Sequence, residues 1–301
     1  MEINMNILIA GGSGFVGSHL GPHLKSRGYR VVLLTRQNGL LSDGYDEVVT
    51  WEQMDKISAK DYSVVINLCG FDISKKSWSK KVKEKIINSR LDSTKKLIKF
   101  IGKNKTLLLN TSAIGFYPFS DDPQNEDFHI NHDASNVHFC QSITKDLEIV
   151  VNESTLLNKI IMRFGVVLGN KGMLAKILPT AKIGLGAQVG TGEQYLSWIH
   201  ITDLCCAVEH LICHQNFNGN VVNITSPFAC TQKYFINVLC RLLKKPRWMI
   251  LPKWLVKTIF GQMGDELLLS SHNIKPKKLL ESGFIFKYPK IELALENLLK
   301  E

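Results

Sequence analysis

Three glycines, at positions 11, 14 and 17, lie in the stretch NILIAGGSGFVGSHLGPHLKSRGY, residues 6–29. An apolar run ends at the first of them and an apolar-periodic helical run begins at the last. That spacing can bind a pyrophosphate. Gly11 permits a tight turn, Gly14 lets backbone approach the phosphates, and Gly17 lets the helix pack close to the strand. The helix start, with Ser13, Phe15 and Val16 in the same loop, offers N–H groups and the positive end of the helix dipole to an anion.

The next apolar run, VVLLTRQNG (residues 31–39), ends in Thr35 and Arg36. A dinucleotide enzyme that prefers the non-phosphorylated cofactor carries Asp or Glu at this place, where it accepts from the ribose 2′-OH. Arg36 instead matches a 2′-phosphate and stacks on adenine, and no carboxylate is present to repel that phosphate. The expected cofactor is NADP(H). A further run, VVINLCG (residues 64–70), supplies Asn67, Leu68, Cys69 and Gly70 to the adenine-ribose and pyrophosphate side, with Gly70 allowing close approach.

These residues need a scaffold, and the chain spells one out. Candidate strands are Met5–Ala10, Val31–Thr35, Glu47–Trp51, Val64–Leu68, Leu107–Thr111, Ile160–Leu168 and Val221–Ile224. Most are continuous apolar runs, as strands covered by helices on both faces should be. Helical patterns over Phe15–Arg27, Ser79–Ile101 and Val137–Ser154 fall between them. The alternation predicts an α/β fold, a Rossmann-like doubly wound parallel sheet with ligands along the strand C-termini. Beyond about residue 225 the texture becomes helical pieces punctuated by Pro and Gly. The expected organisation is an NADP-binding domain over 1–225 and a smaller, mostly helical substrate or cover region over 226–301. Residues 170–200, rich in Gly, are intertwined with that region.

The 301 residues contain no apolar run of 18, so no transmembrane helix is expected, and the N-terminus lacks the features of a signal peptide. Seven Cys without paired spacing fit free thiols in a reducing, cytoplasmic setting. Cys205, Cys206 and Cys213 match no metal-ligand spacing, so no metal is expected. The formal charge is +10, and residues 75–105 account for it with twelve Lys or Arg against two acids. Val82, Ile86, Leu91, Leu97, Ile98 and Ile101 recur there at helical spacing, so the segment reads as an amphipathic helix with a solvated lysine face. Aromatic residues for base stacking are few. Neither nucleic acid nor a membrane is expected as a partner; an unidentified small-molecule substrate is.

Together these pieces resemble the extended short-chain dehydrogenase/reductase family. NTSAIGFYP (residues 110–118) is similar to its fifth-strand Ser motif, and SWIHITDL (residues 197–204) to its late Trp/Phe-Ile-His-Val-Asp-Asp segment. The closer resemblance is to the epimerase-like NADP-binding subfamily with an appended C-terminal domain of undefined role. It is carried by SWSKKVKEKIINSRLDST, by the segment from RFGVVLG to SWIHITDL, and by FINVLCRLLKKP and KPKKLLESGF. The resemblance makes Ser112 the catalytic or carbonyl-binding Ser. It brings Arg90 toward the cofactor phosphates and puts Gly165 and Val166 under the nicotinamide.

The resemblance breaks at FCQSITKDLE, residues 139–148. Family members carry a Tyr, which moves the proton, and four residues later a Lys, which lowers its pKa. Registered on Glu148, those places hold Cys140 and Thr144, and no Tyr lies between Tyr117 and Tyr195. The Tyr-xxx-Lys dyad is absent. Tyr117, Cys140 and His200 are the candidate replacements, with Tyr117 first; each is also a plausible structural residue. Two readings follow. One is an NADP(H)-binding, epimerase-like oxidoreductase acting on a carbonyl, alcohol or nucleotide-sugar-like substrate. The other is a non-catalytic NADPH-binding or sensing protein with a protein partner.

Overall fold

The computed structural model describes residues 5–36, 44–128 and 137–300. The chain runs β1 (Asn6–Ala10), α1 (Gly17–Ser26), β2 (Arg30–Thr35), β3 (Glu47–Thr50), β4 (Val64–Asn67), α2 (Lys80–Ile101) and β5 (Leu107–Ala113). It continues with β6 (Ser120–Gln124), α3 (Phe139–Asn152), β7 (Lys159–Phe164), β8 (Val166–Leu168), α4 (Gly172–Lys182), β9 (Ala187–Val189) and β10 (Tyr195–Leu196). Next come β11 (Trp198–His200), α5 (Ile201–Cys213), β12 (Val221–Ile224), β13 (Cys230–Thr231), α6 (Gln232–Leu242) and β14 (Met249–Leu251). The last elements are α7 (Lys253–Phe260), α8 (Gln262–Leu267), β15 (His272–Ile274), α9 (Lys277–Glu281) and α10 (Ile291–Leu298).

Seven parallel strands form one sheet in the order β12-β7-β5-β4-β1-β2-β3. The chain turns one way from β1 to β3 and the other way from β4 onward, so a crevice opens where β1 and β4 end side by side. Alternation along β1 serves both layers. Ile7 and Ile9 pack with Leu20 and Leu24 of α1, while Leu8 and Ala10 pack with Leu97 and Ile101 of α2. Every one of these side chains is fully buried, which explains why the strands read as unbroken apolar runs. Helix α2 starts at Ser79, whose hydroxyl accepts from Val82 N at 3.3 Å, and stops at Gly102 with φ 57°.

One predicted strand is corrected. Ile160–Leu168 is two strands, because the chain leaves the main sheet at Gly165 and β8 pairs with β11 instead. A Cβ on Gly165 would lie 2.8 Å from Thr225 Cγ2 and 2.9 Å from the Ser197 carbonyl oxygen, so the crossing tolerates glycine alone. Residues 170–200 hold α4 and short strands, with β9 paired to β14 of the C-terminal region.

Three carboxylates, half-buried Glu126 and buried Asp203 and Glu266, tie that region down by gripping backbone N–H groups across the boundary. Glu126 accepts from Lys277 N and Lys278 N, at 3.0 and 3.4 Å. Asp203, whose sequence position suggests a helix-start charge, accepts from Lys287 N and Tyr288 N at 2.8 Å each. Glu266 reaches the other way, accepting from Phe139 N at 3.0 Å and Cys140 N at 2.8 Å. It caps α3, whose own preceding residue, His138, offers no side-chain cap.

Candidate functional site

The crevice has two ends with different construction. At the first, β1 runs into Gly11, held at φ +79° with its open side against the end of β4; a Cβ there would stand 2.8 Å from Leu68 C and 2.9 Å from Cys69 N. At Gly17 a Cβ would collide with Gly12, so helix and turn touch backbone to backbone. Gly14 differs: a Cβ would meet only the Gly11 carbonyl oxygen, at 3.2 Å, and otherwise open space. Among the described residues no acceptor reaches the backbone N–H of Ser13, Phe15 or Val16, and α1 has no side-chain cap. A helix start with unpaired donors and an uncrowded glycine is a cradle for phosphate oxygens.

Thr35 ends β2 buried, and Arg36 follows it exposed, close enough to Cys69 for its charge to act on that thiol. Burial first, opposed by Ser93 and Arg36, leaves the Cys69 thiol pushed up to about 11, hence neutral and inert at pH 7. Gly70 packs beneath Arg90, whose Cζ would be 3.0 Å from a Cβ at that position. Arg90 Nη1 donates to the carbonyls of Phe71 (3.1 Å) and Ile86 (3.0 Å), which fixes the guanidinium against the β4 turn. Phe15 turns its ring onto the turn after β8, where Gly169 and Gly172 leave room for it.

The second end lies past β5 and is filled by a buried polar network. Glu148 on α3 and Arg163 on β7 form a two-pronged ion pair, Nε to Oε1 at 2.8 Å and Nη2 to Oε2 at 2.7 Å. Ser112 donates its hydroxyl proton to Glu148 Oε1 at 2.7 Å. Arg163 Nη1 donates to the Tyr117 hydroxyl at 2.9 Å, and Tyr117 donates in turn to Asn223 Oδ1 at 2.9 Å. The guanidinium carbon stands 3.3 Å from the Phe116 ring centroid and 4.9 Å from that of Tyr117. Burial opposes charge on Arg163, but Glu148 and Tyr117 outweigh it and raise its pKa above the ordinary value. Tyr117, 1 % exposed, is likewise raised, chiefly by burial.

On α3, where the resemblance expects a Tyr and a Lys, Thr144 spends its hydroxyl on the carbonyls of Cys140 (3.0 Å) and Gln141 (2.9 Å). Cys140 packs against Gly115, 3.1 Å from where a Cβ would be. Burial, then the neighbouring Glu266 carboxylate, pushes its thiol far above the ordinary cysteine range. His200 is engaged through one ring nitrogen, and its buried Nε2 has no hydrogen-bond partner among the described residues. It precedes α5, its Nδ1 accepts from Thr202 N at 3.1 Å, its ring lies 4.1 Å from Tyr288, and burial lowers it to about 4. Gly165 and Val166 stand at the sheet crossing, with Val166 N donating to the Ser197 carbonyl at 2.9 Å.

A sequence profile of the NAD dependent epimerase/dehydratase family matches residues 7–225, which is the sheet domain with this crevice. The chain belongs to that family. A second profile, a domain of unknown function (DUF1731), matches residues 251–298. The chain is 30% identical to the epimerase family protein YfhF of Bacillus subtilis over 311 aligned positions, covering 99% of each chain. Its identity to the epimerase family protein Mb2239 of Mycobacterium bovis is also 30%, covering 97% of each. Among solved structures, it superposes on the human epimerase family protein SDR39U1 (isoform 2) with NADPH at a TM-score of 0.88 and 26% identity, covering 99% of this chain and 100% of that one. A UDP-N-acetylglucosamine 4-epimerase from Bacillus cereus, at 17% identity and a TM-score of 0.72, shares the fold.

Within this epimerase-type scaffold, three residues that matter are not legible from sequence as site residues. Tyr45, between β2 and β3, donates to the carbonyls of Gly12 (3.1 Å) and Gly17 (2.9 Å) and buttresses the glycine turn from beneath. Arg163 is visible only as a polar residue inside an apolar strand, and that mismatch is the one available signal. Glu266 sits in DELLLS with no spacing to mark it. Asn67, expected in the lining, is buried and holds the β4 turn, donating to Thr94 and Asn110 and accepting from Cys69 N at 3.1 Å.

Proposed function

We propose that this chain binds NADP(H) across the β1–β4 crevice and acts as an epimerase-like oxidoreductase on a carbonyl, alcohol or nucleotide-sugar-like substrate without a Tyr–Lys dyad. The observation that carries the reading is the phosphate end: free N–H groups at Ser13, Phe15 and Val16, an uncrowded Gly14, and exposed Arg36 where a carboxylate would select the other cofactor. When bound, a nicotinamide cofactor supplies hydride transfer. The chain's own part is to hold and orient. Ser13, Phe15 and Val16 offer backbone donors to the pyrophosphate, Arg36 pairs with the 2′-phosphate, and Gly70 with Arg90 bounds the β4 side. That the human relative was solved with NADPH agrees with this assignment.

Ser112 enters the proposal in a changed role. Its proton is already given to Glu148, so its oxygen is left as an acceptor. It therefore suits a substrate hydroxyl rather than a carbonyl in need of polarisation. Tyr117 and Cys140 fit proton transfer poorly, the first bonded at both hydroxyl functions, the second a raised thiol beside a carboxylate.

The commitment of all three groups favours a second reading, an NADPH-binding protein that senses the cofactor and performs no turnover. One experiment separates them. Protein with NADPH is mixed with a panel of aldehydes, ketones and oxidised nucleotide sugars, and with NADP⁺ and the corresponding alcohols, while cofactor absorbance is followed. Turnover with any member, absent in Arg36→Asp at the same cofactor concentration, supports the oxidoreductase. Tight NADPH binding with no turnover across the panel sinks it and leaves the sensing reading.

A further inference from the structure

Residues 210–264 contain no Asp or Glu and seven Lys or Arg. Five of these, Lys244, Lys245, Arg247, Lys253 and Lys257, border the short β14 strand and α7; all but Arg247 are exposed, Lys257 pairs with Asp265 at 3.3 Å, and Arg247 donates to Gln188 at 2.6 Å. Between them stand Trp248, 66% exposed, Ile250, 58%, and Trp254, 67%. Trp248, immediately before β14, and Ile250, within it, are two apart, the spacing that puts side chains on one side of an extended chain. Ile183, 69% exposed, precedes β9, which pairs with β14, and a Cβ on the adjoining Gly184 would stand 3.8 Å from Pro246. Two exposed indoles and two exposed isoleucines in one place are unusual for a surface that meets only water. Lys244 holds φ 54° at the end of α6, and this left-handed turn sends the chain from the helix to the patch.

The lysine-rich helix α2 is the control within the same molecule. Its outer face is as basic, yet none of its residues is an exposed large apolar side chain. Charge alone gives a solvated face; charge interleaved with indole and isoleucine gives a surface suited to the headgroup region of an anionic bilayer. There lysine stems reach past buried apolar groups to phosphates, and tryptophan lies with its ring in the acyl boundary and its N–H toward water.

We propose that the Trp248–Ile250–Trp254 patch with its lysine border is a peripheral docking site for an anionic membrane surface. The sequence reading expects no membrane partner, and the proposal departs from it; no described helix is long and apolar enough to cross a bilayer. A surface contact requires no such helix. The patch, on β14 and α7, involves none of the residues assigned above to the cofactor, so cofactor binding and membrane contact are independently testable.

The test is sedimentation of the full chain with vesicles of phosphatidylglycerol and phosphatidylcholine, and with phosphatidylcholine alone, with tryptophan emission read in parallel. Binding is expected only to the anionic vesicles, with a blue-shifted emission and release by added salt. Trp248→Ser with Trp254→Ser should abolish the emission shift and weaken binding roughly tenfold or more, as should Lys244→Glu with Lys245→Glu. Lys95→Glu with Lys99→Glu, on α2, should leave binding unchanged. An unchanged NADPH-dependent melting shift shows that each variant is folded. Absence of binding to anionic vesicles overturns the proposal. So does binding that survives the tryptophan changes, or that is lost with the α2 changes, since either outcome means nonspecific charge attraction. Binding to single-stranded DNA at equal salt with none to vesicles would assign the patch to nucleic acid and overturn it as well.

Discussion

The two ends of the crevice are made from the same parts, a strand end, a turn and a helix start, and are finished in opposite ways. At the β1–α1 end the helix start keeps its N–H donors free, the turn is glycine, and Arg36 stands exposed. At the β5–α3 end the helix start is capped by Glu266 from the C-terminal region, and the strand end is occupied by the Glu148–Arg163 pair. The hydroxyls of Ser112, Tyr117 and Thr144 there already have partners. Polar groups left unpaired in a concave site await a ligand, whereas polar groups that satisfy each other hold the fold. The comparison teaches that this chain keeps its open donors at the β1–α1 end and its rigidity at the β5–α3 end.

Removing one member of the buried pair should break the comparison most forcefully. Glu148→Ala leaves Arg163 charged and unpaired inside the protein, and urea unfolding should register a loss of about 3–5 kcal/mol. A loss under about 1 kcal/mol would mean that the network is not what holds this end together. Glycine substitutions sharpen the other side. Gly17→Ala forces helix and turn apart and should cost both fold stability and NADPH binding. Gly14→Ala, with only the Gly11 carbonyl nearby, should lower NADPH affinity while shifting the melting temperature little. Equal melting losses for the two would erase the distinction between a packing glycine and a ligand-facing one.

Tyr117→Phe removes the hydroxyl between Arg163 and Asn223 and should cost about 1–3 kcal/mol while leaving NADPH affinity unchanged. If stability is untouched but turnover vanishes, Tyr117 is a catalytic acid after all and the reaction end has been misread. A milder test uses pH. Burial holds His200 at about 4, below its ordinary value, so between pH 6.5 and 4 the unfolded chain binds a proton the folded chain refuses. Stability from this residue should therefore be present above pH 6.5 and decline as pH falls toward 4, by at most about 1.4 kcal/mol per unit. Glu126 and Asp203, raised mainly by burial, work in the opposite sense, so the quantity to compare is the difference between the wild-type chain and His200→Asn. Parallel pH curves for the two would show that His200 carries no such penalty.

Much of the fold is legible in the residues themselves. The glycine spacing and the apolar runs are local signals, and β1, β2, β4, β5 and β12 lie within a residue or two of where those runs fall. The crossing at Gly165 is not legible, because its cause is the approach of Thr225 and Ser197 from distant parts of the chain. Strand β6, SDDPQ, is equally hidden: it pairs with β15 in a separate two-stranded sheet and carries none of the apolar content that marks a buried strand. Cys140 and Thr144, where the resemblance expects a Tyr and a Lys, are read from residue types alone. What occupies the vacated chemistry is not, since Ser112, Glu148, Arg163, Tyr117 and Asn223 come from separate elements and meet only when the sheet is assembled.

The most direct test of the central claim is calorimetric titration of NADPH and NADH into the wild-type chain and into Arg36→Asp. The account predicts NADPH binding far tighter than NADH to the wild type, with the preference lost in the variant through a selective drop for NADPH. No binding of either cofactor, or equal affinities that fall together in the variant, would contradict it.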